Sequence, residues 1–132
     1  MLIISCDVIS YRENIMNPAP IKEPISFDDF AKLDIRVGTI TRVSEVTKSD
    51  KLMKLTVDFG DHTRSILAGI KKERENPQEI EGKQTLFVVN LPERTMAGEL
   101  SQGMLFDIGY EDQLTPCLAV PEREIPNGSR AG

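Results

Sequence analysis

The sequence predicts an all-β fold, a five-stranded Greek-key barrel with short helices and a C-terminal extension, and three observations lead there. Short β-branched or alternating runs recur between turn signals, a single helical signal stands between the third and fourth run, and the first run is long with a glycine where its parity changes. Three strands, a short helix and two more strands is the order of the OB-fold, a partly open barrel that commonly binds oligonucleotides. A small antiparallel sandwich competes, but the helix between strands three and four favours the barrel. Fold class alone does not give function.

Each element has its own signal. Three prolines in NPAPIKEP exclude helix and mark residues 1–25 as an N-terminal extension and linker, leaving 26–132 as the domain. Residues 1–15 read as a dispensable segment ahead of Met16, or as a clasping strand built on Leu2 to Ile4. Ser26 followed by Asp29 is a weak capping box, and Phe27, Phe30 and Leu33 at helical spacing predict a short helix packed by its phenylalanines. Leu33 to Val46 alternates as strand one, with Ile35 and Val37 on one parity, Ile40 on the other and Gly38 at the switch, which is the pattern of a bulge.

Met53, Leu55, Val57 and Phe59 share one face of strand two, with Lys54, Thr56 and Asp58 on the other. Thr63 to Ile70 makes strand three, and Lys71 to Glu75 is a mixed-sign, solvated connector. Asn76, Pro77, Ile80 and Gly82 spell a helix of one to two turns with a cap, a first-turn proline and a glycine stop. Strand four, Lys83 to Asn90, and strand five, Met104 to Tyr110, flank the stretch NLPERTMAGELSQGM. That loop carries Pro92, Gly98, Gly103, two opposite charges and a Ser-Gln-Gly-Met ending, more than a connector needs, so contact with a ligand is expected there. The segment after Pro121 packs on the barrel.

Composition removes several function classes. Cys6 and Cys117 stand at opposite ends without a paired spacing and His62 is the one histidine, so neither a four-ligand zinc site nor a thiol–imidazole nucleophile assembles, and no cofactor or metal is expected. No apolar run reaches the roughly 20 residues that span a bilayer, and the start lacks a basic leader, so a soluble cytoplasmic protein with no membrane partner is expected. The net charge of -5 is the wrong sign for a surface that blankets phosphates. A nucleic-acid site must therefore be local. The five phenylalanines lie at core parities and tryptophan is absent, which argues against serial base stacking and for recognition of a folded RNA's shape.

Eight spaced motifs agree at once with one family. Phe30-x-x-Leu33-Asp34-Ile35-Arg36-Val37-Gly38, Asp50-Lys51-Leu52, Val57-Asp58-x-Gly60, Ala68-Gly69-Ile70, Gly82-Lys83, Asn90-Leu91, Gly98-x-x-Ser101-Gln102-Gly103-Met104 and Pro126-x-Gly128-Ser129 occur in that order. From about Ser26 to Gly132 the chain resembles the tRNA-binding domain that ends many methionyl-tRNA synthetases and also exists as a stand-alone protein. The resemblance implies an OB-fold, tRNA binding without sequence readout, no catalysis, a homodimer built from terminal segments, and an aminoacyl-tRNA synthetase as a partner. CsaA, an export chaperone that binds unfolded polypeptides, is a related alternative; Ala68-Gly69-Ile70 and Ser101-Gln102-Gly103-Met104 look like the tRNA-binding branch. Two places depart from the family: Val46-Thr47 replaces a His-Pro, and the loop after Leu91 has one base and one acid where several bases are usual.

The resemblance makes Lys51 a phosphate ligand; its bland alternative is a solvated turn lysine. Arg42, Lys54 and Arg94 are basic residues expected on polar faces near the same groove. Asn90 offers a hydrogen bond to a 2′-hydroxyl or base edge, or starts a turn with its own backbone. Ser101 donates to a phosphate or caps the loop, and Met104 packs on a base or fills the barrel mouth.

Overall fold

A computed structural model describes residues 16–132. Along them run helix α1 (Phe27–Phe30) and strands β1 (Ile35–Glu45), β2 (Met53–Asp58), β3 (Thr63–Ala68), β4 (Gln84–Val88), β5 (Arg94–Met96), β6 (Glu99–Ser101), β7 (Met104–Leu105), β8 (Asp107–Ile108), β9 (Cys117–Leu118) and β10 (Arg130–Ala131). The main sheet is ordered β3-β2-β1-β4-β7, with β10 also on β1 and every pairing antiparallel. The readings of residues 1–15 lie outside the described residues.

The long β1 curls this sheet because its two halves serve different neighbours. Ile35 to Thr39 pair with β4, while Thr39 to Glu45 pair with β2. The register shifts between Ile40 and Arg42, so the bulge lies beyond Gly38, where the parity change had placed it. Past the shift, the Val43 N–H donates to the Glu81 carboxylate at 2.8 Å, which satisfies β1 on the side where β4 pairing has ended at Thr39. Gly38 has a different task. A Cβ there would lie 2.5 Å from Val57 Cγ1 and 2.9 Å from Phe59 Cε1, so glycine lets β1 approach the core that β2 fills. Ile40, Leu55, Val57, Ile66, Phe59 and Phe87 are buried there, and the rings of Phe59 and Phe87 meet edge to face with centroids 5.5 Å apart.

Among the described residues no regular strand pairs with the outer edge of β3; side chains and one backbone amide close it. Ser101 Oγ accepts from the Leu67 N–H at 3.0 Å and donates to the Gly103 carbonyl at 3.1 Å. The Gln102 side-chain carbonyl accepts from the Ser65 N–H at 3.0 Å, while the Gln102 N–H donates to the Ser65 carbonyl at 2.8 Å. Arg64 completes the seam, donating from Nη1 to the carbonyls of Val89 at 2.7 Å and Gln102 at 3.0 Å. A barrel edge that would otherwise offer unpaired backbone groups is thereby satisfied.

The tail is sewn to the barrel, as the packing expected after Pro121 requires. Gln84 donates to the Ile125 carbonyl at 2.6 Å and accepts from the Ile125 N–H at 3.1 Å, and Gly128 and Ser129 bond the backbone of Val37. Several local readings need correction. The run Met104 to Tyr110 is two short strands, because the chain leaves β4 after the Phe106 N–H bonds the Leu86 carbonyl and β8 then pairs with β9. Pro77–Ile80 is a single 3-10 turn in which the Asn76 side chain caps nothing. Phe27 is 78% exposed and Phe30 is also on the surface, because α1 has only four residues and buries none of them; Phe106, between β7 and β8, is on the surface as well. Only Phe59 and Phe87 are core phenylalanines, so the argument that aromatics are unavailable to a ligand fails.

Candidate nucleic-acid interface

The turn from β1 to β2 is held from outside by Lys71. Its ammonium donates to the carbonyls of Ser49 at 2.6 Å and Val46 at 3.3 Å, and pairs with the Glu45 carboxylate at 2.9 Å. The Lys71 N–H adds a bond to the Lys51 carbonyl at 3.0 Å. Within the turn, Ser49 Oγ accepts from the N–H groups of Lys51 and Leu52, and Lys72 pairs with Asp50 at 3.1 Å, whose carboxyl it holds below the usual range. The connector read from sequence as solvated is therefore structural at its first residue. A chain segment so fully bonded presents Lys51 at a fixed place. Its side chain is exposed and pairs with no acid among the described residues.

Residues 94–101, expected as part of a shaped loop between strands four and five, fold into the β5–β6 hairpin. Met96 pairs with Glu99, leaving Ala97 and Gly98 as a two-residue turn with φ of 50° and 79°. Positive φ at both central positions is the turn whose twist suits a hairpin, and it strains an alanine by about 1 kcal/mol. The tip leans on the β1–β2 side of the barrel. A Cβ on Gly98 would sit 3.8 Å from the Lys48 ammonium, and Lys54 on β2 reaches the Glu99 carboxylate at 3.7 Å.

The structure divides the residues nominated from the sequence into two groups. Arg42 lies opposite Thr56 and Ser44 opposite Lys54, so Arg42 and Lys54 share the outer face of β1 and β2, next to the turn that carries Lys48 and Lys51. Arg94 stands across the hairpin from Ser101 and is exposed. The fold thus gathers Arg42 and Lys54 beside the turn of Lys48 and Lys51, with Arg94 on the hairpin whose tip leans on that side. Asn90 is elsewhere, at the start of β1, where its amide accepts from the Asp34 N–H at 2.9 Å and donates to the Lys32 carbonyl at 2.6 Å. It joins residues 56 and 58 positions away, not the local turn that its strand-end position suggested. Asp34 also grips Arg36 through two bonds of 2.8 and 3.0 Å, and this keeps its carboxyl below the usual range.

Met104 pairs with Val88, whose other neighbour is Ile35, so it sits ten residues along β1 from the turn end and half exposed on a separate apolar face. Ser101 is 3% exposed with its hydroxyl committed to the seam. It has no free donor to offer a phosphate. Sequence reasoning passed over Lys71, Gln102, Arg64 and Glu99, since nothing in local spacing shows which long side chain returns to a distant carbonyl. Among the described residues no group of three His, Cys, Asp or Glu side chains could hold a metal, and no helix is long and apolar enough to cross a membrane.

Residues 35–130 match a family model described as "Putative tRNA binding domain". The chain belongs to the tRNA-binding domain family. Members at its level of similarity include part of a methionine–tRNA ligase of Chlorobium chlorochromatii (strain CaD3), 50% identical over 91 residues that make up 69% of this chain and 13% of the ligase. The ligase of Bacteroides fragilis is 42% identical over 110 residues, 83% of this chain and 16% of that one. The chain thus spans about one sixth or less of these ligases. Among solved structures, the MetRS related protein from Pyrococcus horikoshii superposes with a TM-score of 0.77 at 37% identity, covering 84% of this chain and all of that one. The chaperone CsaA of Bacillus anthracis follows at 0.72 and 32% identity, covering 83% of this chain and all of that one. Both likenesses agree with the all-β barrel of the tRNA-binding domain family seen here.

Proposed function

We propose that this chain is a non-catalytic tRNA-binding protein that acts in the cytoplasm as a homodimer, alone or beside a methionyl-tRNA synthetase, with residues 26–132 as its functional unit. Folded tRNA lies against the β1–β2 turn and the β5–β6 hairpin, where Lys51, Arg42, Lys54 and Arg94 meet phosphates. One observation carries this reading beyond family membership: the turn bearing Lys51 is fixed by Lys71, Lys72 and Ser49 while Lys51 itself stays exposed and unpaired among the described residues. A contact side chain held this way loses little freedom on binding. Phosphate contacts position a nucleic acid without reading its bases, which suits recognition of shape.

Filter binding of total tRNA, set against an unfolded secretory polypeptide, tests the reading. The parent should retain tRNA, and Lys51→Ala should weaken it while flattening the slope of log affinity against log salt by about one unit or less. Retention of the polypeptide with no tRNA binding would instead favour a CsaA-like chaperone.

A cleft on the opposite end supports the dimer. Phe27, Phe30, Leu33, Ile35 and Ala131 line it, with Phe27 and Leu33 well exposed, and a second copy would cover these groups from water. Sedimentation equilibrium at micromolar concentration should give twice the chain mass. A monomer would remove the dimer from the proposal.

A further inference from the structure

We infer that Glu99 is a built-in competitor for the phosphate site, an acidic side chain that occupies Lys54 in the free protein and yields it when RNA arrives. This rests on the tRNA reading above. Glu99 comes directly after the strained Ala97–Gly98 turn and pairs across β5 with Met96, on the same side of the hairpin as the buried Ser101. That side faces the barrel, and the carboxylate, still 39% exposed, reaches toward Lys54. It meets Lys54 at 3.7 Å, and the Lys48 side chain reaches the neighbouring Gly98, where a Cβ would lie 3.8 Å from its ammonium. The hairpin therefore places one negative charge beside Lys54, a lysine of the interface.

Three features make Glu99 a competitor and not a brace. The pair is loose, at 3.7 Å, with Lys54 36% and Glu99 39% exposed, so it contributes only a fraction of a kcal/mol and gives way readily. The braces of this region are built otherwise: Lys71 uses short bonds to backbone carbonyls at 21% exposure, and Ser101 is buried. The protein as a whole is acidic, with a net charge of -5, so a further negative charge inside this basic face raises the threshold for any polyanion. A ligand that meets Lys51 and Arg42 as well as Lys54 overcomes that threshold. One offering a single phosphate does not.

The test is Glu99→Gln, which keeps the shape and removes the charge. Total tRNA should bind this variant about threefold to fivefold more tightly than the parent at low salt, with a slope of log affinity against log salt steeper by up to one unit. In a Lys54→Gln background the same change should give less than half that gain, because the lysine it releases is gone. A brace predicts the opposite sign, weaker binding and a lower melting temperature for Glu99→Gln. Equal or weaker binding, or an equal gain in both backgrounds, overturns the inference. If the parent binds no tRNA the functional proposal falls, whereas tRNA binding weakened by Lys51→Ala but not strengthened by Glu99→Gln removes the competitor alone.

Discussion

Gly38→Ala should destabilise the protein by about 2–3 kcal/mol, although the same change at most strand positions stabilises by a few tenths to 1. The added methyl would arrive 2.5 Å from Val57 Cγ1 and 2.9 Å from Phe59 Cε1. Both neighbours are locked, Val57 fully buried with a stiff branched side chain and Phe59 only 2% exposed against Phe87. Neither can step aside without moving β2 or opening the ring pair. Urea unfolding should give a lower midpoint with an unchanged slope, and a thermal midpoint lower by roughly 10 °C. A variant as stable as the parent would mean that β1 has room to retreat and that the close approach is incidental.

Ser101→Ala should lower stability by about 2 kcal/mol and leave the tRNA affinity of the folded protein unchanged. Deleting the hydroxyl strands the Leu67 N–H and removes a partner of the Gly103 carbonyl, both at the seam where β3 has no neighbouring strand among the described residues. A buried donor left without a partner carries its full desolvation penalty, which is why this serine outweighs a surface hydrogen bond. Lys51→Ala should do the reverse, lowering affinity while melting with the parent, since its side chain touches nothing that holds the fold. Should Ser101→Ala melt like the parent but bind tRNA weakly, the phosphate contact first read from the sequence would stand and the seam would not need its hydroxyl.

Legibility in the sequence followed the range of the physics involved. The alternation of Met53, Leu55 and Val57 is local, so β2 and its buried face could be read directly, and Leu33 to Val46 announced a long bent strand. The bulge was misplaced by a few residues because Gly38 changes parity and also makes room, and periodicity cannot separate the two causes. The phenylalanines misled for a related reason. Helical spacing shows that Phe27 and Phe30 share a side, but not whether any core lies opposite a four-residue helix. The stretch before Ser101 read as a loop and not as paired strands because a hairpin with Ala97 at positive φ carries none of the usual Asn-Gly or Asp-Gly signal.

By itself the sequence determined the barrel class, the order of the first four strands of the main sheet, and the turn beside which basic residues would gather, since each depends on composition and short-range pattern along one segment. Only the tertiary structure decided which side chains are free to bind and which are already engaged. Ser101 and Lys71 look like surface donors in the sequence and are braces in the fold, while Lys51 is left available by bonds made around it. The reason is physical: a polar side chain joins whichever backbone group the folded chain leaves unpaired within its reach, and that group arises from the closure of β3 and the path of the β1–β2 turn, two consequences of the whole barrel.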